Sequence, residues 1–179
     1  SPSGKVPLLK DGKEVFSESA AISEFLDEAH PIPKLIPVDK KLRFEARRLN
    51  NWFDDKFHNE VTKNLLYERV YKKIFNAGHP DSSLIKKGLK KIRFHFDYME
   101  WLLERRNWLA GEKMTLADFT AAAQLSSLDY IGEINWEKVG IVKDWYAKIK
   151  SRPAFRSSGI LSDLLPGFTP PKHYSDLDF

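Results

Sequence analysis

Thr115-Leu116-Ala117-Asp118 sets a hydroxyl and a carboxylate three residues apart ahead of an apolar run, the spacing of a helix-capping box with Asp in place of the usual Glu. The Thr115 hydroxyl can accept from the Asp118 amide, and the Asp118 carboxylate can reach back to the Thr115 amide. This chemistry nucleates a buried helix and needs no catalytic Asp. Met114 and Phe119 stand where a hydrophobic staple would be. Glu18 and Ser19 open a second helical pattern, where a hydroxyl caps and an acidic side chain favours the dipole. Two basic runs raise the question of nucleic acid. Lys86, Lys87, Lys90, Lys91 and Arg93 fall mostly away from Ile85, Leu89 and Ile92, as a solvated face should. Lys40, Lys41, Arg43, Arg47 and Arg48 are interrupted by Glu45 and lack the interleaved exposed aromatics of a single-strand binder. They could line a groove between subunits, and no nucleic-acid partner is expected. No two of His30, His58, His79, His95 and His173 have the i, i+4 spacing of a helical metal pair, so no metal site is expected. The ending Asp176-Leu177-Asp178-Phe179 puts two apolar residues beside two acids, which reads either as a docking peptide or as part of a strap packed back on its own domain.

These groups must be positioned by a mostly helical chain. Val6 to Leu9 and Glu14 to Phe16 read as two short strands around an Asp11-Gly12 turn. Such a hairpin buries too little to stand alone; it must join further strands or pack hard on the next helix. That helix runs from Ser17 or Ser19 to Ala29, with Ile22, Phe25, Leu26 and Ala29 on one face. Pro31, Pro33 and Pro37 then forbid helix and mark a linker over 31–38. Beyond it the periodicity predicts helices over 39–59, bending and continuing to 75, and over 82–106, 115–131, 137–150 and 154–163. The division is therefore residues 1–30, the linker, a helical domain over 39–165, and a tail over 166–179 without periodicity.

Length and composition fit about one to one and a half packed domains. Of 179 residues 42% are hydrophobic, and 29 basic against 25 acidic side chains leave a net charge of +4, too small to argue for a polyanion. There is no cysteine, which excludes a disulfide framework, a thiolate zinc site and a cysteine nucleophile in these residues and fits a reducing compartment. No apolar run reaches membrane-spanning length and the start lacks an apolar signal segment, so a cytoplasmic chain is expected.

Trp108-Leu109-Ala110-Gly111 ahead of Met114-Thr115-Leu116-Ala117-Asp118 resembles the sixth-helix signature of the glutathione transferase C-terminal domain. Gly4-Lys5-Val6-Pro7, with Glu18-Ser19-Ala20-Ala21-Ile22 and Phe25-Leu26, resembles the second half of that superfamily's thioredoxin-like N-terminal domain. Trp145-Tyr146 and Arg152-Pro153-Ala154-Phe155 resemble its closing helices. The resemblance implies an α+β, mostly α fold, a partial thioredoxin-like unit followed by an all-helical domain. It implies a cis bond before Pro7, a Val6 backbone that pairs with the cysteinyl part of glutathione, and a Glu18-Ser19 turn that holds the glutamyl carboxylate. It further implies a two-fold dimer with the helix from about Asp39 at the interface. The thiol-activating Ser, Tyr or Cys of the superfamily belongs to an opening strand-helix-strand unit that precedes the residues given, so the catalytic position is unknown. The unpaired hairpin argues that the native protein has that unit.

The ending resembles that of alphaproteobacterial division proteins built on this fold. That likeness implies binding to the tubulin-like filament protein FtsZ, an effect on filament curvature, and a C-terminus linked to constriction through Asp176, Leu177, Asp178 and Phe179. The leading expectation is a non-catalytic division factor with no cofactor. The alternative is a transferase that conjugates glutathione to a small electrophile, and a third is a stress- or translation-associated scaffold on the same fold.

Overall fold

The structure, a computed structural model, describes residues 4, 6–155 and 160–175. Strands β1 (Leu8–Asp11) and β2 (Glu14–Ser17) pair antiparallel from Leu8 against Ser17 to Asp11 against Glu14. Gly12 closes the turn at φ +58°, a conformation that glycine adopts without steric cost. The hairpin meets α1 (Ser19–Ala29) through Phe16, whose ring stacks on Phe25 at 4.5 Å.

The proline-rich segment after α1 is held at residues 34–36 from two sides. Asp27, buried near the end of α1, accepts from the Leu35 and Ile36 amides and pairs with Lys34 at 3.4 Å. The Leu35 carbonyl in turn accepts from the Leu116 amide at 3.0 Å, so the linker joins α1 to the start of the helix that the capping box opens. Arg47 grips Glu24 with two hydrogen bonds of 2.9 and 3.1 Å, a second tie between the two parts.

Helix α2 (Lys40–Asn51) is capped by Asp39, whose carboxylate accepts from the Lys41 and Leu42 amides. The predicted continuation runs through widened turns. The chain stays helical as a π segment (Trp52–Thr62), α3 (Lys63–Leu66), a second π segment (Tyr67–Tyr71) and α4 (Lys72–Ile74). Leu49, Phe53, Phe57, Val61 and Leu65 recur every four residues and all are fully buried. A strict repeat of four drifts around an α-helix of about 3.6 residues per turn, whereas wider i→i+5 turns bring it back to one face. Helix α5 (Ser82–Leu103) crosses this rod, with Asp81 as its N-cap, and Gly88 lets the two approach, since a Cβ there would stand 3.0 Å from Leu65. Helix α6 (Leu116–Tyr130) runs through the centre and is covered on nearly all sides. A 3₁₀ turn (Trp136–Lys138) leads into α7 (Gly140–Lys150). Trp145, Tyr146, Phe53, Phe57 and Met99 are among the largest fully buried side chains of this core.

The helix predicted to start at 154 does not. Residues 151–155 form turns, with Arg152 donating to Ile149 and Phe155 to Arg152, because Pro153 has no amide to extend a helix and restricts the residue before it. Helix α8 (Ile160–Leu164) follows, and the segment predicted to be aperiodic contains a short α9 (Lys172–Ser175). Leu161, Leu165, Phe168 and Tyr174 pack on Leu66, Val70 and Tyr130 as a second small core. The strap alternative thus describes the chain through Ser175; Asp176, Leu177, Asp178 and Phe179 lie outside the described residues. Among the described residues no helix is long and apolar enough to cross a membrane.

Candidate functional site

The register Leu8 against Ser17 brings Val6-Pro7 and Glu18-Ser19 to the same end of the hairpin, and all four residues are exposed there. The Val6–Pro7 bond is cis. Ser19 is not the cap of α1. Ser17 is still in the ladder, so one residue must turn the chain from strand to helix; Glu18 does so at φ 70° and ψ 112°, and neither its side chain nor that of Ser19 caps the helix. A positive φ at a non-glycine residue is unusual and costs about 1 kcal/mol or more. This end therefore presents a strained corner, a hydroxyl and the first turn of a helix to one side, an arrangement able to receive a carboxylate.

At the start of α6 the capping box forms, and it is larger than its local motif. Asp118 is fully buried; its Oδ2 accepts from the Thr115 amide (2.8 Å) and hydroxyl (3.1 Å). Its Oδ1 accepts from the Leu109 amide (3.0 Å) and the Trp145 indole (2.9 Å). Burial pushes this carboxyl up from its ordinary range, and the four donors oppose that shift. Its donors tie the Trp108–Gly111 turn and α7 to the helix start.

The first basic run lies on α2, where Lys40, Arg43, Phe44, Arg47, Arg48 and Asn51 line an open depression of about 320 Å³. The run does carry an exposed aromatic, contrary to the sequence reading, since Phe44 is 69% exposed. Most of its cations are already engaged: Arg47 with Glu24, Arg43 with the Pro37 and Val38 carbonyls, and Arg48 with Glu45 and the Tyr98 hydroxyl. Arg48 and then Arg106 hold the Glu45 carboxyl down to about 2. On α5 the Lys86, Lys87 and Lys90 face is exposed as expected, but Phe94 and Trp101 share it. Among the described residues no group of His, Asp and Glu is arranged to hold a metal ion.

The sequence reading missed a second fully buried aspartate. Asp129, fully buried at the end of α6, accepts from the Trp136 indole at 2.7 Å and contacts His173 Nε2 at 2.9 Å, with Lys150 Nζ 3.7 Å away. Lys150, also buried, donates to the His173 carbonyl at 3.1 Å, and the hydroxyls of Ser126 and Tyr174 meet at 2.9 Å. A signal existed. Asp129 follows Ala122, Leu125 and Ser126 at core positions of α6, and Lys150 follows Val142, Tyr146 and Ile149 on α7, so each helix puts one charge of opposite sign where an apolar residue belongs.

A mostly helical α+β chain with a cis-proline hairpin end, a capping-box hub and these closing helices belongs to the glutathione S-transferase family. Residues 62–153 match its C-terminal domain and residues 1–34 its N-terminal domain. The chain is 46% identical to FtsZ-localized protein A of Caulobacter vibrioides over 182 residues, 99% of this chain and 79% of that protein. The structure of FzlA from C. crescentus superposes with a TM-score of 0.92 at 45% identity, covering 99% of this chain and 80% of that one. A glutathione S-transferase from Rhodospirillum rubrum superposes with a TM-score of 0.91 at 42% identity and the same coverage. Glutathione S-transferase 3 of Zea mays is 27% identical over 88% of this chain and 71% of its own length.

Proposed function

We propose that this chain is a non-catalytic division factor on the glutathione transferase fold, which binds FtsZ filaments and regulates their curvature and constriction. The observation that carries the reading is the 46% identity to FtsZ-localized protein A, sustained over 99% of the chain. The protein works in the cytoplasm at the division site as a homodimer, with α2 and its exposed Phe44 at the two-fold axis and the basic depression lining a groove that meets the filament. Asp176, Leu177, Asp178 and Phe179 engage a further component of the division machinery. No cofactor takes part.

Co-sedimentation of the full-length protein with GTP-assembled FtsZ tests this. Saturable pelleting that is indifferent to glutathione is expected; a folded dimer that stays in the supernatant would overturn it. A second reading, glutathione conjugation, is favoured by the exposed Val6-Pro7 and Glu18-Ser19 end and by the name of the Rhodospirillum relative. On that reading glutathione binds saturably, through the Val6 backbone and the Glu18-Ser19 turn, and Glu18→Ala with Ser19→Ala abolishes the binding.

A further inference from the structure

Helix α2 carries the arginines Arg43, Arg47 and Arg48, and among the described residues only Arg43 keeps its carboxylate-binding edge open. Arg47 places Nε and Nη2 on the two oxygens of Glu24, and Arg48 does the same with Glu45. Arg43 instead gives Nη1 to the Pro37 and Val38 carbonyls, which leaves its Nε and Nη2 unused. Nε and Nη2 form the planar fork that meets a carboxylate with two parallel hydrogen bonds. The chain itself fills that fork twice on the same helix.

Arg43 lines the depression with Lys40, Phe44, Arg47, Arg48 and Asn51, and no acidic side chain lines it. Among the described residues the Lys40 and Asn51 side chains make no hydrogen bond or ion pair, and Phe44, 69% exposed, has no ring or cation against it. The exposed rings of α5 differ. Lys56 and Lys91 each lie 5.9 Å from the centre of Phe94 and Arg105 lies 4.7 Å from that of Trp101, and these cations are paired with Glu60 and Glu104. Those rings and the cations over them are satisfied within the chain; the groups of the α2 depression are not.

Each unused group matches one part of a peptide. The Arg43 fork and the Lys40 ammonium take side-chain carboxylates, the Asn51 amide takes a backbone carbonyl or amide, and Phe44 takes an apolar side chain. A free small anion in so open a depression would stay mostly in water, whereas ligand clefts bury most of their ligand. A nucleic-acid strand would find the rings of α5 already covered, with the carboxylates of Glu60 and Glu104 beside them.

We propose that the α2 depression docks an acidic peptide segment that carries one apolar side chain and is presented by the filament. Arg43 and Lys40 hold its carboxylates, Asn51 its backbone and Phe44 its apolar group. Arg47 and Arg48, tied to Glu24 and Glu45, are positioning residues that hold the walls in place, so little freedom is lost on binding. That the filament supplies the segment rests on the FtsZ-binding reading above.

The test is co-sedimentation of the full-length protein with GTP-assembled FtsZ. The parent is compared with Lys40→Glu plus Phe44→Ala, with Arg43→Lys, and with Lys86→Glu plus Lys87→Glu as a charge reversal elsewhere on the surface. The Lys40 and Phe44 side chains make no bond to the rest of the described fold, so the first variant keeps its structure, which unchanged circular dichroism confirms. It is expected to weaken pelleting about tenfold or more; Arg43→Lys, which keeps the charge and loses the fork, about threefold or more; the α5 reversal less than about twofold. If either α2 variant pellets as the parent does, or the α5 reversal weakens pelleting as much as they do, the docking site is overturned while the filament reading stands. If the folded parent does not pellet, the filament reading falls, and fluorescence anisotropy of a labelled peptide of Asp and Glu around one Phe decides the site. Saturable binding that the first variant loses upholds it; no saturable binding, or displacement by equal concentrations of inorganic phosphate or oligothymidylate, overturns it.

Discussion

Helix α6 carries one fully buried aspartate near each end, and the two are satisfied in opposite ways. Asp118 takes neutral donors, two backbone amides, a hydroxyl and an indole, and half of them come from Thr115, three residues away. Asp129 takes an indole and an imidazole, with an ammonium paired 3.7 Å away, from residues 7, 44 and 21 positions distant. The first closes a local turn that the chain would favour in any context. The second exists only once α6, α7 and the strap have met. A buried carboxylate can thus serve as a nucleus of local structure or as a tertiary clasp, and the identity of its donors tells which.

Breaking each hub separates these roles. Asp118→Ala strands four buried donors and should lower the stability of the whole helical domain by about 4 kcal/mol, read as a shift in the urea midpoint at constant slope. Asp129→Asn keeps an oxygen for Trp136 but leaves Lys150 buried without its counter-charge; a loss of about 2–3 kcal/mol is expected, with amide exchange in residues 160–175 rising well before global unfolding. Equal losses with identical exchange patterns would erase the distinction between nucleus and clasp.

A third buried polar group sharpens the comparison by pH. His95 is fully buried, accepts from the Trp52 indole at Nδ1 and faces Glu60 at Nε2. Burial lowers its pKa from 6.5 to about 4, against the opposing pull of Glu60. The unfolded chain therefore binds a proton between pH 6.5 and 4 that the folded chain does not, and stability present above pH 6.5 should fall as pH drops through that window, by up to about 3 kcal/mol. Below it Glu60, whose carboxyl Lys56 and then His95 and Lys91 hold down to about 2, takes over the acid loss. Thermal unfolding across pH 4–7 checks this, and His95→Gln should flatten the slope. The smaller effects come last. Gly132→Ala, at φ +74° and close to Pro171, should cost about 1 kcal/mol, mostly in the strap. Arg47→Ala removes a largely exposed pair with Glu24 and should cost less than about 1 kcal/mol.

The candidate hairpin end was legible because register and turn chemistry are local: Asp11-Gly12 sets the turn, the turn sets Leu8 against Ser17, and Pro7 and Glu18 follow. The cap of α1 was misread for the same reason. A serine before an apolar pattern reads as an N-cap, but the strand claims Ser17 and the corner falls on Glu18. The exposure of Phe44 and the shared face of Lys87, Phe94 and Trp101 were hidden, because an aromatic residue in a helical pattern is read as core until its neighbours are known.

By itself the sequence determined the helical class, the hairpin, the proline break after α1 and the capping box, since each rests on spacings of two to four residues and on the backbone preferences of proline, glycine and threonine. Only the tertiary structure decided that the four-residue repeat from Leu49 to Leu65 needs widened turns, that Asp118 also holds Trp145, and that Asp129, Lys150 and His173 form one clasp. The reason is physical. A local hydrogen bond forms between groups the chain already holds together, whereas a buried charge is tolerable only beside a partner that folding must bring from tens of residues away.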